Sequence, residues 1–439
     1  MFKKLNLQTI FLFGFGVLLV AGVFVFAGLV PSPRASEREL ILQGRLVVWG
    51  TLPKEIVDQR VMAQVKEAVG QSVQISYVER SEESFDQDLV EKLASGSGPD
   101  IVLLPESLII RHRDKIEPFP YESFPERQFR ETFIQGSELY LFPDGVLALP
   151  FSADPLVMYW NRPMYASGSV IRPPIYWDEF LTVVGAVTKR DKANNILKSA
   201  LAFGEYSNIN HAKEILSLLT LQTGNPIASF DGRKSIVPTL SGDSERDIPP
   251  AKEVFRFYTD FANPQKSVYS WNRSLASSLD AFLAQDLATY FGFASELLSL
   301  QAKNPNLDFG VTLVPQIRDH QFRGTFMRMS AAAVMKTSKN KPLAYHVAAV
   351  LSSQPVLQVL AKETGLPPIR LDLLSVKPTN PAQSVFYDSA LIGKSWLDPD
   401  PDTTSSYFRK AVEGILAGTV DVSGAVNKMN AELSVLGRR

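Results

Sequence analysis

The feature that most constrains the fold is a repeated β-α-β pattern that begins near residue 45. The apolar run RLVVWG (Arg45 to Gly50) ends at a glycine, and apolar residues then recur near helical spacing from Ile56 to Val69. The segment SVQISYVE is typical of a second strand, SFDQDLVEKLAS of a helix, and IVLLP of a third strand. This order predicts an α/β sheet covered by helices.

The ends of these strands are the first candidate binding positions. In open α/β sheets, ligands bind beyond the carboxyl ends of the strands. Trp49 lies at the end of the first strand, and Glu106 and Ser107 directly follow IVLLP. We therefore expect all three residues at a cleft, with packing in the core as the alternative for Trp49.

Length and composition limit the class of protein. A chain of 439 residues is too long for one core and predicts two or three domains. Hydrophobic residues make up 45% and charged residues 21%, as in a globular protein. The net charge of −1 argues against nucleic acid as the principal partner. Cysteine is absent, which excludes disulfides, thiolate metal sites and lipid attachment through a thiol.

The N-terminus carries a localisation signal. Lys3 and Lys4 precede an uncharged apolar segment of 21 residues, 10–30, which as a helix reaches roughly 30 Å and would span the hydrocarbon core. Its length favours an uncleaved signal anchor over a cleaved signal peptide. We expect residues 1–9 in the cytoplasm, 31–42 as a tether, and the globular part as an extracytoplasmic domain on the cell membrane.

No motif for catalysis, a cofactor or a metal is found in the sequence. It lacks a phosphate-binding P-loop, a dinucleotide fingerprint, a nucleophile elbow and an H-E-x-x-H pair. The four histidines are scattered singly, without the spacing of metal ligands. We therefore predict no catalytic residue, no metal and no cofactor.

A carboxylate lies between two apolar runs in ALPFSADPLVMYWN (Ala148 to Asn161). Asp154 separates two runs that would otherwise be typical of buried strand. An ionised carboxylate is rarely buried without a partner. Asp154 therefore lies on a surface turn, in an internal hydrogen-bond network, or in a cleft.

Several segments, in their order and spacing, resemble the family of extracellular solute-binding proteins that serve ABC sugar importers, the maltodextrin-binding-protein-like family. They are LVVWG, EKLASGSGPDIVLLP, ALPFSADPLVMYWN, PPIYWDEF, FYTDFANPQKSVYSWN, NPNLDFGVTLVPQ and SWLDPDPDT, and they cover about residues 44–436. The membrane anchor departs from the family pattern, as do Gln285 and Asp286, where the family commonly has a small residue and glycine.

The resemblance implies an α/β, two-lobed periplasmic-binding-protein-like fold of type II, with strands that cross between the lobes. One lobe would comprise residues 43–153 plus about 308–372, and the other 154–307 plus about 373–439. Such lobes close on a ligand by a hinge motion. The first crossing would be ALPFSADPLVMYWN, with Asp154 facing the cleft and accepting hydrogen bonds from sugar hydroxyls. The alternative is a turn in which Asp154 caps the backbone before Pro155.

Aromatic residues are candidates for stacking on the apolar face of a sugar ring. Trp271 with Asn272 ends a polar loop, with core packing as the alternative for Trp271. Phe291 and Phe293 flank Gly292, and the resemblance implies that one of them contacts the ligand. Trp396 is cleft-facing by the same resemblance. Trp177 is expected to be structural, and at most one of Tyr159 and Trp160 can point inward because they alternate on a strand.

The implied function is that of a monomeric substrate-binding receptor that delivers an oligosaccharide to the transmembrane permease subunits of an ABC importer. A peptide is the second choice of ligand, and only Arg323 and Arg328 stand near enough to suggest an anion. An extracytoplasmic glycosidase would need two carboxylates about 5 to 9.5 Å apart, for which Glu106 and Glu296 are the only other candidates. A sensory or scaffold protein on the same fold is a further alternative.

Overall fold

The first lobe is built on the predicted β-α-β pattern. The structure is a computed structural model that describes residues 43–70, 72–231, 235–241 and 250–438. Strands β1 (Gly44–Gly50), β2 (Val73–Glu79) and β3 (Ile101–Pro105) are parallel neighbours, with β1 in the middle. The helical segment from Lys54 to Val69 and the helix over Phe85–Ala94 connect them. The α/β sheet predicted from the repeated β-α-β order is therefore confirmed, and these three strands are parallel.

The strands that follow are β4 (Leu141–Phe142), β5 (Gly145–Val146), β6 (Leu149–Asn161), β7 (Lys189–Arg190), β8 (Ile196–Leu201), β9 (Ala228–Phe230), β10 (Ile236–Pro238), β11 (Leu287–Phe293), β12 (Phe309–Thr312), β13 (Thr325–Val334) and β14 (Gly393–Lys394). Within the described residues, the main sheet has ten strands, eight of them in the order β2-β1-β3-β13-β6-β11-β8-β7. In addition, β12 pairs with β6 and β14 with β13.

Two long strands join the lobes. The first half of β6 pairs with β13 through residues 149–155, and its second half pairs with β11 through residues 156–160. Strand β13 in turn pairs with β3 of the first lobe. The crossing predicted for ALPFSADPLVMYWN is thus a single strand of 13 residues. A turn before Pro155, the alternative for Asp154, is wrong, because the strand ladder continues through this position.

The helices are α1 (Lys54–Ile56), which continues through a π-helical turn (Val57–Val61) into α2 (Met62–Val69), then α3 (Phe85–Ala94), α4 (Glu126–Thr132), α5 (Arg162–Ser167), α6 (Phe180–Val187), α7 (Ala212–Gln222), α8 (Pro250–Asp260), α9 (Ser278–Leu283), α10 (Leu297–Lys303), α11 (Lys341–Leu351), α12 (Gln354–Thr364), α13 (Leu371–Leu374), α14 (Pro381–Leu391), α15 (Pro401–Leu416) and α16 (Val422–Leu436). Short 3-10 turns include Glu106–Leu108 after β3 and Ala294–Glu296 after β11.

The core of the second lobe is rich in aromatic rings. Trp177 packs against Phe180, Phe203 and Phe291, with ring centres 5.5 to 6.1 Å apart. Trp177 is buried at a helix start, the structural position expected of it. The C-terminal helices α15 and α16 pack on each other and on α8, so the end of the chain returns to this lobe.

Strand β12 extends the part of the sheet that lies in the second lobe. Phe309–Thr312 pairs with residues 158–161 of β6, on the second-lobe half of that strand. This sheet therefore continues past residue 308, near which the resemblance implies a return to the first lobe, and the exact lobe boundaries stay a prediction.

The predicted membrane anchor, 10–30, and the tether, 31–42, lie outside the described residues. Among the described helices, no single one is long and apolar enough to cross a membrane, and the bent pair α11 and α12 meets the length and composition requirements only jointly.

Candidate functional site

Strands β3, β13 and β6 meet at the crossing between the lobes, and the polar residues brought together there form what we call the floor. Arg328 of β13 lies opposite Asp154 of β6, and Ser330 lies opposite Ser152, with their hydroxyl oxygens 2.6 Å apart. Ser330 is also the partner of Pro105, the last residue of β3. This register brings Asp154, Arg328 and Glu106, the residue after Pro105, to one place at the crossing between the lobes.

Asp154 is bonded to the second lobe. Its carboxylate accepts hydrogen bonds from the backbone N–H of Ser295 (3.0 Å) and from the Ser295 hydroxyl (2.6 Å), at the turn after β11. Burial raises the pKa of Asp154 to about 6, although the two bonds from Ser295 and the charge of Arg328 oppose the shift. The internal hydrogen-bond network considered for Asp154 therefore exists, and it lies at the crossing itself.

Glu106 is the most buried carboxylate of this floor. Its side chain accepts a hydrogen bond from the backbone N–H of Met329 (2.9 Å) and a long one from the Ser395 hydroxyl (3.4 Å). Only 4% of the residue is exposed. Burial raises the pKa of Glu106 to about 7, with the Met329 bond and Arg328 acting against it. Near neutral pH this carboxyl group is therefore divided between its protonated and ionised forms.

Arg328 is the cation of the floor. Its guanidinium carbon lies 3.9 Å from the centre of the Phe293 ring, and its Nη2 donates to Glu214 Oε1 (3.1 Å). Burial alone would lower the pKa of Arg328, but Glu214, Asp154 and Glu106 raise it above its ordinary value. In return Arg328, with His211, holds the pKa of Glu214 below its usual range despite burial. The guanidinium thus covers one aromatic face and neutralises part of the acidic floor.

Glu296 serves the turn beside the floor. It accepts hydrogen bonds from the Tyr290 hydroxyl (2.6 Å) and the Phe293 backbone N–H (2.7 Å), and it lies 2.7 Å from His211 Nε2. Burial opposes ionisation, yet the His211 and Tyr290 contacts keep the pKa of Glu296 below its ordinary value. All its nearest partners are structural, so Glu296 fixes the turn that carries Ser295.

A second set of contacts joins the lobes. Arg111, after β3 in the first lobe, pairs with Asp86 at the start of α3 (2.9 Å) and with Asp400 (2.8 Å). Asp400 is the N-cap of α15 in the second lobe, where its other oxygen accepts from Thr403 N (2.9 Å). Arg111 therefore bridges the two lobes by an ion pair that involves no ligand.

Arg113 makes a parallel bridge two residues later. Its guanidinium lies 4.5 Å from the ring centre of Phe142 in β4 and 4.7 Å from that of Phe230 in β9. Phe142 belongs to the first lobe, and Phe230 lies on the hairpin that packs on the second-lobe helix α16. The segment after β3 thus contacts the second lobe by charge at Arg111 and by cation-π contact at Arg113.

Three of the predicted cleft aromatics have a cation beside the ring. Trp49 is 3% exposed, and the Arg80 guanidinium lies 3.9 Å from the centre of its ring system. Trp396 is 5% exposed, with the Lys213 ammonium 5.6 Å from its ring. Phe293, beneath Arg328, is the third such ring. A ligand that stacks on any of them needs the cation to move, so stacking at these positions stays a prediction.

Other predicted residues lie away from the floor. Trp271 is 1% exposed and donates its indole N–H to Asn208 (3.2 Å), which favours the core-packing alternative. Asn272 is half-buried and bonded within its own turn, to Ser274 and Tyr269. Phe291 packs in the aromatic core, so of the Phe291 and Phe293 pair only Phe293 borders the floor. Ser107 lies half-buried in the turn after β3, beside Glu106.

Sequence reasoning missed several residues of this site. Ser295 and Glu214 carry no sequence signal, because a serine at a turn and an acid in the first turn of a helix are common everywhere. Arg328 was recognised only as a nearby cation. Arg111 and Asp400, 289 residues apart, could be paired only by the tertiary structure.

The arrangement is suited to recognising hydroxyl groups. Glu106, Asp154, Glu214 and Glu296 each have a protein partner, yet a carboxylate can accept about four hydrogen bonds, so acceptor capacity remains. Among the described residues, no group of three or more His, Cys, Asp or Glu side chains is placed to hold a metal ion. These carboxylates can therefore form hydrogen bonds with a polar ligand.

The fold is similar to solved structures of sugar-binding proteins. A cyclo/maltodextrin-binding protein complexed with maltotetraose matches with a TM-score of 0.71 at 16% identity, over 90% of this chain and 97% of that one. The cyclic α-maltosyl-1,6-maltose binding protein from Arthrobacter globiformis gives 0.72 at 16% identity, over 90% and 99%. The sugar-binding protein MalE from Xanthomonas citri gives 0.70 at 14% identity, over 90% and 98%. The two-lobed periplasmic-binding-protein-like fold is therefore confirmed.

Sequence relatives match over a smaller part of the chain. Proteins named as binding proteins in Brucella abortus (strain 2308) and Brucella suis biovar 1 are each 24% identical over 270 residues. The match spans 60% of this chain and 60% of the length of each relative. No family model matches the chain.

Proposed function

We propose that the chain is an extracytoplasmic substrate-binding protein of an ABC importer, which captures an oligosaccharide between its lobes and delivers it to the permease. The observation that carries the proposal is the polar floor at the crossing strands, where Asp154, Glu106 and Arg328 converge in a fold shared with sugar-binding proteins. Carboxylates in a partly buried cleft form short, strong hydrogen bonds with hydroxyl donors.

The proposed ligand contacts are Asp154 and Glu106 as acceptors, Ser107 at the rim, and Phe293 and Trp396 as ring faces. For these rings to contact a ligand, Arg328 and Lys213 must move away from them, although each is held at present by an acidic partner, Glu214 and Asp398 respectively. Trp49 is a further ring of this kind, beneath Arg80. Trp271, Asn272 and Phe291 are left out of the proposed site because they are bonded or packed inside the second lobe.

Binding would be coupled to hinge closure, and the closed form would dock on the permease. The N-terminal segment, residues 10–30, would keep the receptor at the membrane and raise its effective concentration near the transporter. We propose that it acts as a monomer and without a cofactor.

Two alternatives, a glycosidase function and a peptide ligand, require different chemistry from the proposed function. A glycosidase would hydrolyse the bound oligosaccharide by means of two carboxylates. The structure gives Glu296, one of the acids considered for this role, three partners that hold it in a turn. A peptide ligand would bring charged termini, for which Arg328 is the nearest cation of the floor.

A thermal-shift screen of the purified chain against neutral oligosaccharides, peptides and phosphate esters tests the proposal. A ligand at a hundredfold its dissociation constant stabilises the folded state by about 2.7 kcal/mol. We expect an oligosaccharide to raise the melting temperature and to remain intact by mass spectrometry after long incubation. Hydrolysis of the ligand would support the enzyme, stabilisation by peptides alone would support the second ligand class, and silence would support a sensory or scaffold role.

A further inference from the structure

A groove on the second lobe, away from the crossing strands, has features of a binding site. It has a volume of about 480 Å³ and lies between the end of α10, strand β12 and the start of α14. That volume is in the range of small-molecule pockets. Its floor includes Trp160, six residues along β6 from Asp154 and therefore roughly 20 Å away along the strand.

The Trp160 indole lies flat on the neighbouring strand. Trp160 is the direct partner of Gly310 in the antiparallel pair of β6 and β12. A Cβ atom added at Gly310 would come within 2.5 Å of Nε1 and 2.8 Å of Cε2 of the indole. Only glycine allows the ring to rest on the backbone in this way, and the indole then forms part of the groove floor as a flat aromatic platform.

This platform is more exposed than the rings proposed for the cleft, because Trp160 is half-buried whereas Phe293, Trp49 and Trp396 are buried. The guanidinium of Arg162 is 5.7 Å from the centre of the Trp160 ring system. Arg162 is instead drawn to Asp308, whose carboxylate it contacts at 2.6 Å. Trp160 and Tyr165 pack in an edge-to-face arrangement, with ring centres 5.4 Å apart.

The groove is polar but carries no net charge. The charged residues in its lining are Arg162 and Asp308, which neutralise each other. Amides line the rest of its polar rim, among them the exposed Gln301 and Asn380. Asn380 caps α14 with its oxygen, which accepts from the N–H groups of Ala382 (2.9 Å) and Gln383 (3.2 Å). Among the described residues its NH₂ group is thus left to donate to a hydroxyl oxygen.

We infer that this groove is a second carbohydrate site, which binds a neutral oligosaccharide with one sugar ring on Trp160 and hydroxyl groups against Gln301 and Asn380. A flat indole beside amide donors and acceptors matches the apolar face and polar rim of a pyranose. Because Arg162 and Asp308 neutralise each other, the lining of the groove has no unpaired charge to attract a phosphate or the charged termini of a peptide. The site is independent of the cleft and extends the proposed function by a place on the receptor surface where an oligosaccharide is held.

The test uses the full chain labelled with ¹⁵N-tryptophan, which gives five indole N–H resonances, one per tryptophan. The Trp160 resonance is assigned by its loss in Trp160→Phe. Maltotetraose and cellotetraose are titrated to millimolar concentration, with trialanine as the peptide probe. We expect at least one tetrasaccharide to shift the Trp160 resonance with a saturable curve, and trialanine to leave it unchanged.

Matched variants locate the effect. Gln301→Ala should weaken the binding seen at Trp160 about fivefold, the loss of one neutral hydrogen bond, while Gln128→Ala, at an exposed position of α4, should not change it. Asp154→Asn should leave the Trp160 curve unchanged, because the two sites are separate. A Trp160 resonance insensitive to both tetrasaccharides, one that responds equally to trialanine, or one whose response disappears in Asp154→Asn would overturn the inference.

The same spectra distinguish the two proposals. The Trp49 and Trp396 indoles border the proposed cleft site and report on binding there. A shift of Trp160 alone would support the groove and count against oligosaccharide binding in the cleft, whereas shifts of Trp49 and Trp396 without Trp160 would do the reverse.

Discussion

The carboxylate of Asp154 accepts hydrogen bonds from both the backbone N–H and the hydroxyl of Ser295. A residue of the strand that crosses between the lobes is therefore bonded to the turn after β11. Asp154 consequently has a structural role before any ligand arrives. It stabilises the start of the 3-10 turn and remains able to accept further hydrogen bonds.

Asp154→Ala should therefore affect both folding and binding. Loss of the acceptor leaves Ser295 N–H without its partner, which we expect to lower the free energy of unfolding by about 1 to 3 kcal/mol. Asp154→Asn retains one acceptor oxygen and should cost less. Urea denaturation measures the stability, and Ser295→Ala, which removes the hydroxyl bond alone, is the control. Equal stability of Asp154→Ala and the unmodified chain would contradict this role.

Glu106 should make the protein less stable as the pH rises. Its folded pKa of about 7 exceeds that of an exposed glutamate, so the native state binds more protons than the unfolded state between these values. Stability is then highest below the unfolded pKa and falls as the pH rises through about 7, by up to about 3 kcal/mol.

Glu106→Gln removes this titration while keeping an oxygen for the Met329 N–H. We expect the slope of unfolding free energy against pH, between pH 5 and 8 (from about two units below the folded pKa to about one unit above it), to become flatter in Glu106→Gln. Glu91→Gln, at an exposed position of α3, should retain the slope. An identical slope in Glu106→Gln would show that Glu106 is ionised throughout this range.

Arg328 should stabilise the ionised forms of its acidic neighbours through its charge. It should also stabilise Phe293, on whose ring its planar guanidinium stacks. Arg328→Lys preserves the charge but not the stacked plane, and Arg328→Ala removes both. Because the side chain is 44% exposed, we expect a loss of only about 1 to 2 kcal/mol in Arg328→Ala. The pKa of Asp154, followed by carboxyl NMR, should rise further. An unchanged pKa in Arg328→Ala would exclude the electrostatic contact.

The Arg111 bridge should tune ligand affinity by stabilising contact between the lobes. Asp400→Asn removes the charge that pairs with Arg111 but preserves the N-cap of α15, since asparagine caps helices as well as aspartate. We expect the dissociation constant of the bound oligosaccharide to rise about fivefold, equivalent to about 1 kcal/mol, with little change in melting temperature.

Asp421→Asn provides the matched control for this prediction, because Asp421 caps α16 on the same lobe through a bond to Gly424 N (2.8 Å). Its affinity for the ligand should equal that of the unmodified chain. Equal affinities for Asp400→Asn and Asp421→Asn would show that the ion pair does not contribute to closure.

The sequence was sufficient for the architecture and for part of the floor. The repeated β-α-β order predicted the α/β sheet, and the resemblance to the sugar-binding family implied that ALPFSADPLVMYWN is the strand that crosses between the lobes. Gln285, which with Asp286 stands where the resembled family commonly has a small residue and glycine, has a positive φ of 61°.

Side-chain partners could not be predicted in the same way. Trp271 and Phe291 are aromatic residues of the kind that stack on sugar rings, but both are packed in the interior. An aromatic side chain packs in a protein core as readily as it stacks on a sugar, so the residue type alone does not decide between the two. Trp160 was considered only as the alternate of Tyr159, and its position on Gly310 depends on the pairing of β6 with β12, 150 residues along the chain. Contacts of this kind are fixed by tertiary register rather than by local pattern.

The most direct test of the account is isothermal titration of a neutral oligosaccharide, chosen from the thermal-shift screen, into the unmodified chain and into Asp154→Asn. We predict saturable binding by the unmodified chain, recovery of the oligosaccharide intact, and a dissociation constant at least about tenfold higher in Asp154→Asn, for the loss of a charged hydrogen bond. Equal affinity in the two proteins would contradict binding at the crossing strands, and consumption of the oligosaccharide would contradict a receptor.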